Sequence, residues 1–231
     1  MTNFLKLSTY LFLCLSFFAC SKDDPQPVPA LSRTEAALKY DEDVQFRVPN
    51  FSNVTWSSSD EFVGTVDESG KFTAHHVGEA KITATVDGQT LTATVVVEPY
   101  VTGIVEPYLN FGGSVQSIME YEKREYLEDI STVYTVFRGQ GDLEKYVGYL
   151  TAQGIMVSAN IEFIFNLNVI QNVMLFYKER YNYLGKGYND RDYFESKDGS
   201  YRVFISGGDN AYYTQDPFLA STIIEEVNVP W

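Results

Sequence analysis

The chain has 231 residues, 45% of them hydrophobic and 15% aromatic, with 17 Lys and Arg against 31 Asp and Glu. That is enough apolar material for one large core or two modest ones, and it is not the composition of a disordered, collagen-like or disulfide-stapled protein. A net charge of −14 argues against nucleic acid as a partner, because binding phosphates needs clustered Lys and Arg.

Residues 1–19 carry one early cation, Lys6, and then an almost uninterrupted apolar run from Leu7 to Ala19. A run of about a dozen residues suits a secretory leader, whereas a membrane span needs about 20. Its end, Ser16-Phe17-Phe18-Ala19-Cys20, resembles the lipobox of bacterial lipoproteins, with Ala19 as the small residue before the cut and Phe17 where an aliphatic residue is usual. The resemblance implies cleavage before Cys20, acylation of Cys20 and anchoring in a membrane, each buried CH₂ contributing about 0.8 kcal/mol. Cysteine usage agrees: Cys14 leaves with the leader, and Cys20 alone remains, so the mature chain has no intramolecular disulfide. Ser21-Lys22-Asp23-Asp24 resembles the short acidic signal that sends some Gram-negative lipoproteins to the outer face of the outer membrane; a plain solvated charge cluster is the alternative. Pro25, Pro27 and Pro29 make residues 20–30 a semi-rigid tether on the lipidated cysteine.

From residue 31 to 98 the pattern changes to short alternating runs. Asp43-Val44-Gln45-Phe46-Arg47-Val48 alternates with period two, Pro49-Asn50 punctuates it, and Val54-Thr55-Trp56-Ser57 begins the next strand. Asp67-Glu68-Ser69-Gly70 forms a turn before Lys71-Phe72-Thr73-Ala74. Ile82, Ala84 and Val86 share a face, and Asp87-Gly88 is a two-residue hairpin signal leading to the return strand over 90–97. About seven short strands and no helical pattern predict a β-sandwich.

The runs Val54-Thr55-Trp56-Ser57-Ser58-Ser59-Asp60, Gly64-Thr65-Val66-Asp67-Glu68-Ser69-Gly70-Lys71-Phe72-Thr73-Ala74 and Gly78-Glu79-Ala80-Lys81-Ile82-Thr83-Ala84 resemble the bacterial Ig-like group 2 domain across residues 31–98. That resemblance implies an Ig-like sandwich, surface display and a spacer or adhesive role, with no catalytic residues. His75 and His76 are adjacent on a strand edge and so point to opposite faces, which does not suit one metal. Asp41-Glu42-Asp43 lacks the spaced loop a Ca²⁺ site requires, and Trp56 reads as core.

Residues 100–231 read as an α+β domain. Ser114 is a good N-cap, and Val115, Ile118 and Met119 recur at helical spacing, predicting a helix over 115–126. Strands are predicted over 132–137 and 155–165; residues 143–150 are compatible with helix or strand, their Tyr and Val content favouring strand. Leu167, Ile170, Met174, Tyr177, Tyr181 and Leu184 form a helical apolar stripe with Gly185 placed as its C-terminal cap. Residues 191–195, 201–205 and 211–214 read as strands joined by Ser196-Lys197-Asp198-Gly199-Ser200 and Gly207-Gly208-Asp209-Asn210. A last strand-like segment spans 223–229. The order suggests two αβββ-like halves in an antiparallel sheet with two helices on one face. Phe111-Gly112-Gly113-Ser114 and the long helix also look similar to uncharacterised domains that follow Ig-like modules in Gram-negative lipoproteins.

The sequence lacks Gly-x-Ser-x-Gly, His-Glu-x-x-His, Cys-x-x-Cys, phosphate-loop and dinucleotide motifs, and has no histidine after His76. No cofactor, metal site or catalytic residue is expected. Glu120, Glu122, Glu162, Asp190, Asp192 and Glu195 are the carboxylates from which a glycosidase-like pair would have to come. Tyrosine is the unusual enrichment, with 17 in the chain. Tyr188, Tyr193, Tyr201, Tyr212 and Tyr213 crowd the last third beside amide and carboxylate groups, as in a sugar or peptide groove; Tyr suits half-buried strands equally. The expected ligand-binding residues are Tyr188, Tyr193, Tyr212 and Tyr213, on a non-catalytic surface lipoprotein whose partners are the membrane and a glycan or surface protein. A carboxylate-dependent hydrolase and an envelope-complex subunit are the alternatives.

Overall fold

A computed structural model describes residues 27–187 and 190–215. The leader expected over 1–19, Cys20, Tyr188 and the strand expected over 223–229 lie outside the described residues.

The first unit closes a core between two sheets. Strands β1 (Glu35–Lys39), β2 (Asp43–Gln45), β3 (Thr55–Ser58), β4 (Gly64–Val66), β5 (Lys71–Ala74), β6 (Gly78–Val86) and β7 (Gln89–Glu98) follow the period-two pattern. One sheet has the order β1-β7-β6-β3, the other β2-β5-β4; β1 pairs with β7 in parallel and the remaining pairs are antiparallel. Phe46, Phe72, Ile82 and Val95 are fully buried between them. The β6–β7 hairpin turns on Asp87 and Gly88, both with φ positive (48° and 75°), as Asp-Gly turns require. Gly70, at φ +81°, lies directly under the Trp56 ring, where a Cβ would collide with it. Trp56 also packs on Phe46, 6.4 Å between ring centres, which makes it part of the core.

The second unit is one antiparallel eight-stranded sheet with two helices. Its elements are α1 (Val115–Tyr121), β8 (Tyr126–Ser131), β9 (Tyr134–Arg138), β10 (Glu144–Ala152), β11 (Ile155–Phe163), α2 (Leu167–Lys178), β12 (Asn182–Lys186), β13 (Asp192–Glu195), β14 (Arg202–Ser206) and β15 (Asn210–Thr214). The sheet order β12-β13-β14-β15-β11-β10-β9-β8 makes two meanders, each preceded by a helix and joined at the centre by their last strands. The halves are therefore αββββ, one strand longer each than expected; β8 and β12 are the additions. Helix α1 is capped by Ser114, as predicted, but stops at Tyr121 because the chain turns into β8.

Helix α2 is shorter than predicted and is rotated. Asn166 caps it through a 2.9 Å bond from the Val169 amide, and it ends at Lys178. Leu167, expected in the buried stripe, is 71% exposed; Val169, Val173, Phe176 and Tyr177 face the core. Gly185 lies in β12 and caps nothing. Ile118 of α1 and the four buried residues of α2 pack with Phe137, Val147, Tyr149, Ile161, Phe163, Phe194, Val203 and Tyr213. Both helices thus cover the same face of the sheet.

Candidate functional site

Side chains alternate across a strand, so the register defines what the opposite face carries. One cross-strand row reads Tyr193, Phe204, Tyr212, Asn160, Gly148, Val136 from β13 to β9. Tyr212 stacks on Phe204 with ring centres 4.9 Å apart and planes 18° apart, and Tyr193 lies 6.0 Å from Phe204 on its other side. The Arg191 guanidinium sits 5.1 Å from the Phe204 ring centre, a cation–π arrangement. Phe204 is buried beneath these neighbours, while Tyr193, Tyr212 and Arg191 are half-buried. Further along the row Gly148 leaves room for Tyr134 to lie flat and donate its hydroxyl to Asn160 Oδ1; a Cβ at 148 would collide with both.

Two of the four expected tyrosines therefore meet on the helix-free face. Tyr213 does not. Being next to Tyr212 on one strand it points the opposite way, is fully buried under α2, and shares a 2.5 Å hydroxyl–hydroxyl bond with Tyr177. Burial pushes its hydroxyl well above the ordinary tyrosine range. It is a core residue, and the expectation that it contacts ligand is corrected. Tyr188 lies outside the described residues.

Electrostatics on this face are mixed. Burial raises the Tyr212 pKa, an effect opposed by Arg191 and supported by Glu162 and Asp209. Glu162 accepts from Lys145 Nζ at 2.5 Å through Oε1, while its buried Oε2 and the buried Arg191 Nε have no hydrogen-bond partner.

The carboxylates do not assemble into a cleft for glycoside cleavage. Glu120 is exposed and accepts from Gln116; Asp190 and Glu195 pair with Lys186 and Arg202; Asp192 accepts from Tyr183 at 2.6 Å. Glu122 is buried, but its neighbour there is Glu144, and Arg124 bridges the two at 2.9 and 3.2 Å. Every oxygen of this pair has a donor: Tyr149 on Glu122, and the Val105 and Gln140 amides on Glu144, besides Arg124. The triad fastens the 105–124 segment to the sheet. Among the described residues no group of three or more His, Cys, Asp or Glu side chains could hold a metal ion, and no helix is long and apolar enough to cross a membrane.

A feature not visible in the sequence is the joint between the units. Glu179, at the end of α2, is fully buried and accepts the Tyr100 and Val101 amides at 2.8 and 3.2 Å, with Arg180 ion-paired to it. Its carbonyl accepts the Val77 amide at 2.7 Å. His76 stacks on Phe62 at 3.9 Å and sets its two ring nitrogens against the carbonyls of Phe62 and Tyr181. Lys197 pairs with Asp60 and covers the Phe62 ring. His76 is thus a joint residue and not a free strand-edge histidine.

Residues 30–97 match the model of the bacterial Ig-like domain (group 2). They form a domain of that family. The two-sheet sandwich and its Asp-Gly hairpin agree with the Ig-like assignment. No curated protein matches the chain. Among solved structures the chain is similar to the S-layer protein SbsC, domains 5–6, at 14% identity over 82% of this chain and 83% of that one, with a TM-score of 0.27. It is also similar to SbsC domains 4–9, at 14% identity over 83% of this chain and 27% of that one, again with a TM-score of 0.27. At such TM-scores the likeness carries no argument. The Ig-like domain by itself fits a non-catalytic surface or structural role.

Proposed function

We propose that this protein is a non-catalytic surface lipoprotein, anchored at the outer membrane through acylated Cys20, with the Ig-like domain as stalk and the α+β domain as recognition tip. The observation that carries the reading is the row Tyr193–Phe204–Tyr212 with Arg191 on the helix-free face. Two half-buried phenol rings beside an unpartnered guanidinium nitrogen and an unpartnered carboxylate oxygen are groups that bind sugar hydroxyls or a peptide. The saturated Glu122–Arg124–Glu144 triad supports binding over hydrolysis.

The test is a glycan and matrix-protein array probed with residues 21–231, alongside Tyr212→Ala and Tyr193→Ala. A ligand held by the parent and lost by both variants supports the reading, and absence of any ligand on folded protein overturns the recognition tip. Anchoring is tested separately: Cys20→Ser abolishes fatty-acid labelling and moves the chain from the membrane to the soluble fraction.

One observation favours a second reading, a subunit of an envelope complex. Ile164, Phe165 and Leu167, 40%, 73% and 71% exposed, project together from the turn between β11 and α2. Co-purification of a partner from the native envelope, lost on Phe165→Ser, is its test.

A further inference from the structure

The two histidines of the chain, His75 and His76, both lie in the turn between β5 and β6. The Val63 carbonyl accepts both of their amides, at 2.9 and 3.1 Å, which fixes the turn. His76 Nδ1 then lies 2.7 Å from the Phe62 carbonyl of the Ig-like domain, and Nε2 lies 3.1 Å from the Tyr181 carbonyl of the α+β domain. A carbonyl oxygen only accepts. A neutral imidazole has one N–H, so it satisfies one of these carbonyls and turns a lone pair on the other, whereas the imidazolium donates to both.

Neither carbonyl can readily move off. The Phe62 ring is stacked on His76 at 3.9 Å and covered by Lys197, and the Tyr181 side chain is buried with its hydroxyl on Glu106. Charges on the elements packed against His76 are neutralised in pairs, Lys197 with Asp60 and Arg180 with Glu179. Glu61 and Lys178, beside these pairs in sequence, are exposed. Burial pushes the Glu106 carboxyl up. His75 opposes a charge on His76, but burial first and His76 second lower its own pKa, and its Nε2 meets Thr65 Oγ1 at 2.9 Å.

We propose that His76 is a proton-dependent clasp between the two units: with both ring nitrogens protonated it ties the Phe62 carbonyl to the Tyr181 carbonyl, and loss of one proton slackens the joint. A bond that needs the charged ring adds stability at low pH and loses it as the pH rises. An imidazole changes charge around pH 6.5, so the joint is tight in mildly acidic and slack in mildly alkaline medium. The inference does not depend on what the α+β domain binds.

Hydrogen exchange on residues 21–231 at about pH 5.5 and about pH 8, either side of the imidazole range, tests it, each rate being divided by the intrinsic rate at that pH. The reporters are the Val77 and Tyr100 amides, which bond across the joint to the Glu179 carbonyl and carboxylate. Their protection, relative to amides in the middle of β6 and α2, is at least about fivefold higher at the acidic pH, the margin of a charge-assisted over a neutral hydrogen bond. His76→Gln, with no proton to lose in this range, removes the difference whatever its own level of protection, and His75→Gln keeps it. Equal relative protection at the two pH values overturns the proposal, and so does higher protection at the alkaline one. A difference that survives His76→Gln also overturns it, because the proton then sits on another group.

Discussion

The two units of this chain close a β-sheet in different ways. The Ig-like domain lays a four-stranded and a three-stranded sheet against each other, so every strand has one core face and one wet face. The α+β domain has a single sheet whose closure on one side is given over to two helices, and it fills that side with large phenol rings whose hydroxyls need partners. Tyr149 donates to Glu122, Tyr177 meets Tyr213, and Tyr181 donates to Glu106. The first arrangement needs only alternating apolar residues. The second needs a polar network inside the core, and the joint extends that network to the first unit through Glu179.

Breaking the joint is predicted to have the largest effect. Glu179→Ala leaves Arg180 and the Tyr100 and Val101 amides without their carboxylate in a fully buried position. Removing one partner of such a pair costs about 3–5 kcal/mol. In urea denaturation the α+β domain unfolds at a lower midpoint while the Ig-like domain holds its own, splitting the unfolding into two transitions. A single transition with an unchanged midpoint would show that Glu179 does not couple the units.

Next in size is the helix-free face. Gly148→Ala forces Tyr134 off Asn160, at about 1–3 kcal/mol for an overpacked site. Tyr134→Phe keeps the ring over Gly148 and loses only the hydroxyl bond, so it is milder. If Gly148→Ala were neutral in a chemical melt, the packing of Tyr134 across this face would be wrong.

The comparison also explains what could be read from the residues. Five of the seven strands of the Ig-like domain, β2, β3, β5, β6 and β7, are legible in the sequence through their alternation and the turn residues, such as Asp87-Gly88, that separate them, and the total of about seven is right; β1 and β4 carry no distinct signal of their own. In the second unit β9 and β10 are buried on both faces, so alternation vanishes and residues 143–150 looked ambiguous. Strand β8 escaped notice because Glu128, Asp129 and Ser131 crowd an exposed edge, a pattern with no apolar face to detect. The α2 stripe seemed to run on to Leu184 because Tyr181 and Leu184 continue the helical spacing. Tertiary contacts end it sooner: Glu179 is held by the inter-unit amides, and Tyr181 is drawn to Glu106 and Tyr201. Of the site, the tyrosine enrichment was legible and the sheet face of each ring was not; Tyr212 and Tyr213 were separated by strand parity, which requires the register. Arg191 and Phe204 had no signal before the cross-strand row was known.

Strand parity supplies a sharper, smaller test. Tyr213→Phe removes a hydroxyl from the Tyr177 pair and is expected to destabilise by about 1–2 kcal/mol without altering ligand capture. Tyr212→Ala on the opposite face is expected to lose capture, along with the stability that its stacking on Phe204 supplies. Equilibrium unfolding and array binding on both variants separate the two roles. Loss of binding in Tyr213→Phe at unchanged stability would contradict the assignment of Tyr213 to the core.

The smallest predicted effect concerns what the two units share. Both use an Asp-x-Ser turn between strands: Asp67 Oδ1 accepts the Ser69 amide, the Ser69 hydroxyl and the Lys71 amide, and Asp198 Oδ1 accepts the Ser196 and Ser200 hydroxyls and the Ser200 amide. Both carboxyls are held below the ordinary range, Asp67 first by the Ser69 hydroxyl and Asp198 first by the Ser200 hydroxyl, the latter down to about 2. A depressed folded-state pKa adds stability that is complete above the unfolded value of 3.8 and is lost as the pH falls through about 2. Asp198→Asn should therefore lower the thermal midpoint slightly at pH 6 and by less at pH 2, where half of the Asp198 carboxyl is already protonated, and Asp67→Asn should likewise matter less as the pH falls. Both carboxyls face solvent, so the shift lies near the resolution of a thermal melt, and hydrogen exchange at the Ser200 and Lys71 amides is the more sensitive readout. Equal behaviour of the two variants would mean that this turn chemistry is local and indifferent to how each sheet is closed. A larger loss at Asp198 would mean that the β13–β14 turn also positions Lys197 against Asp60, carrying the joint's energetics into the hairpin.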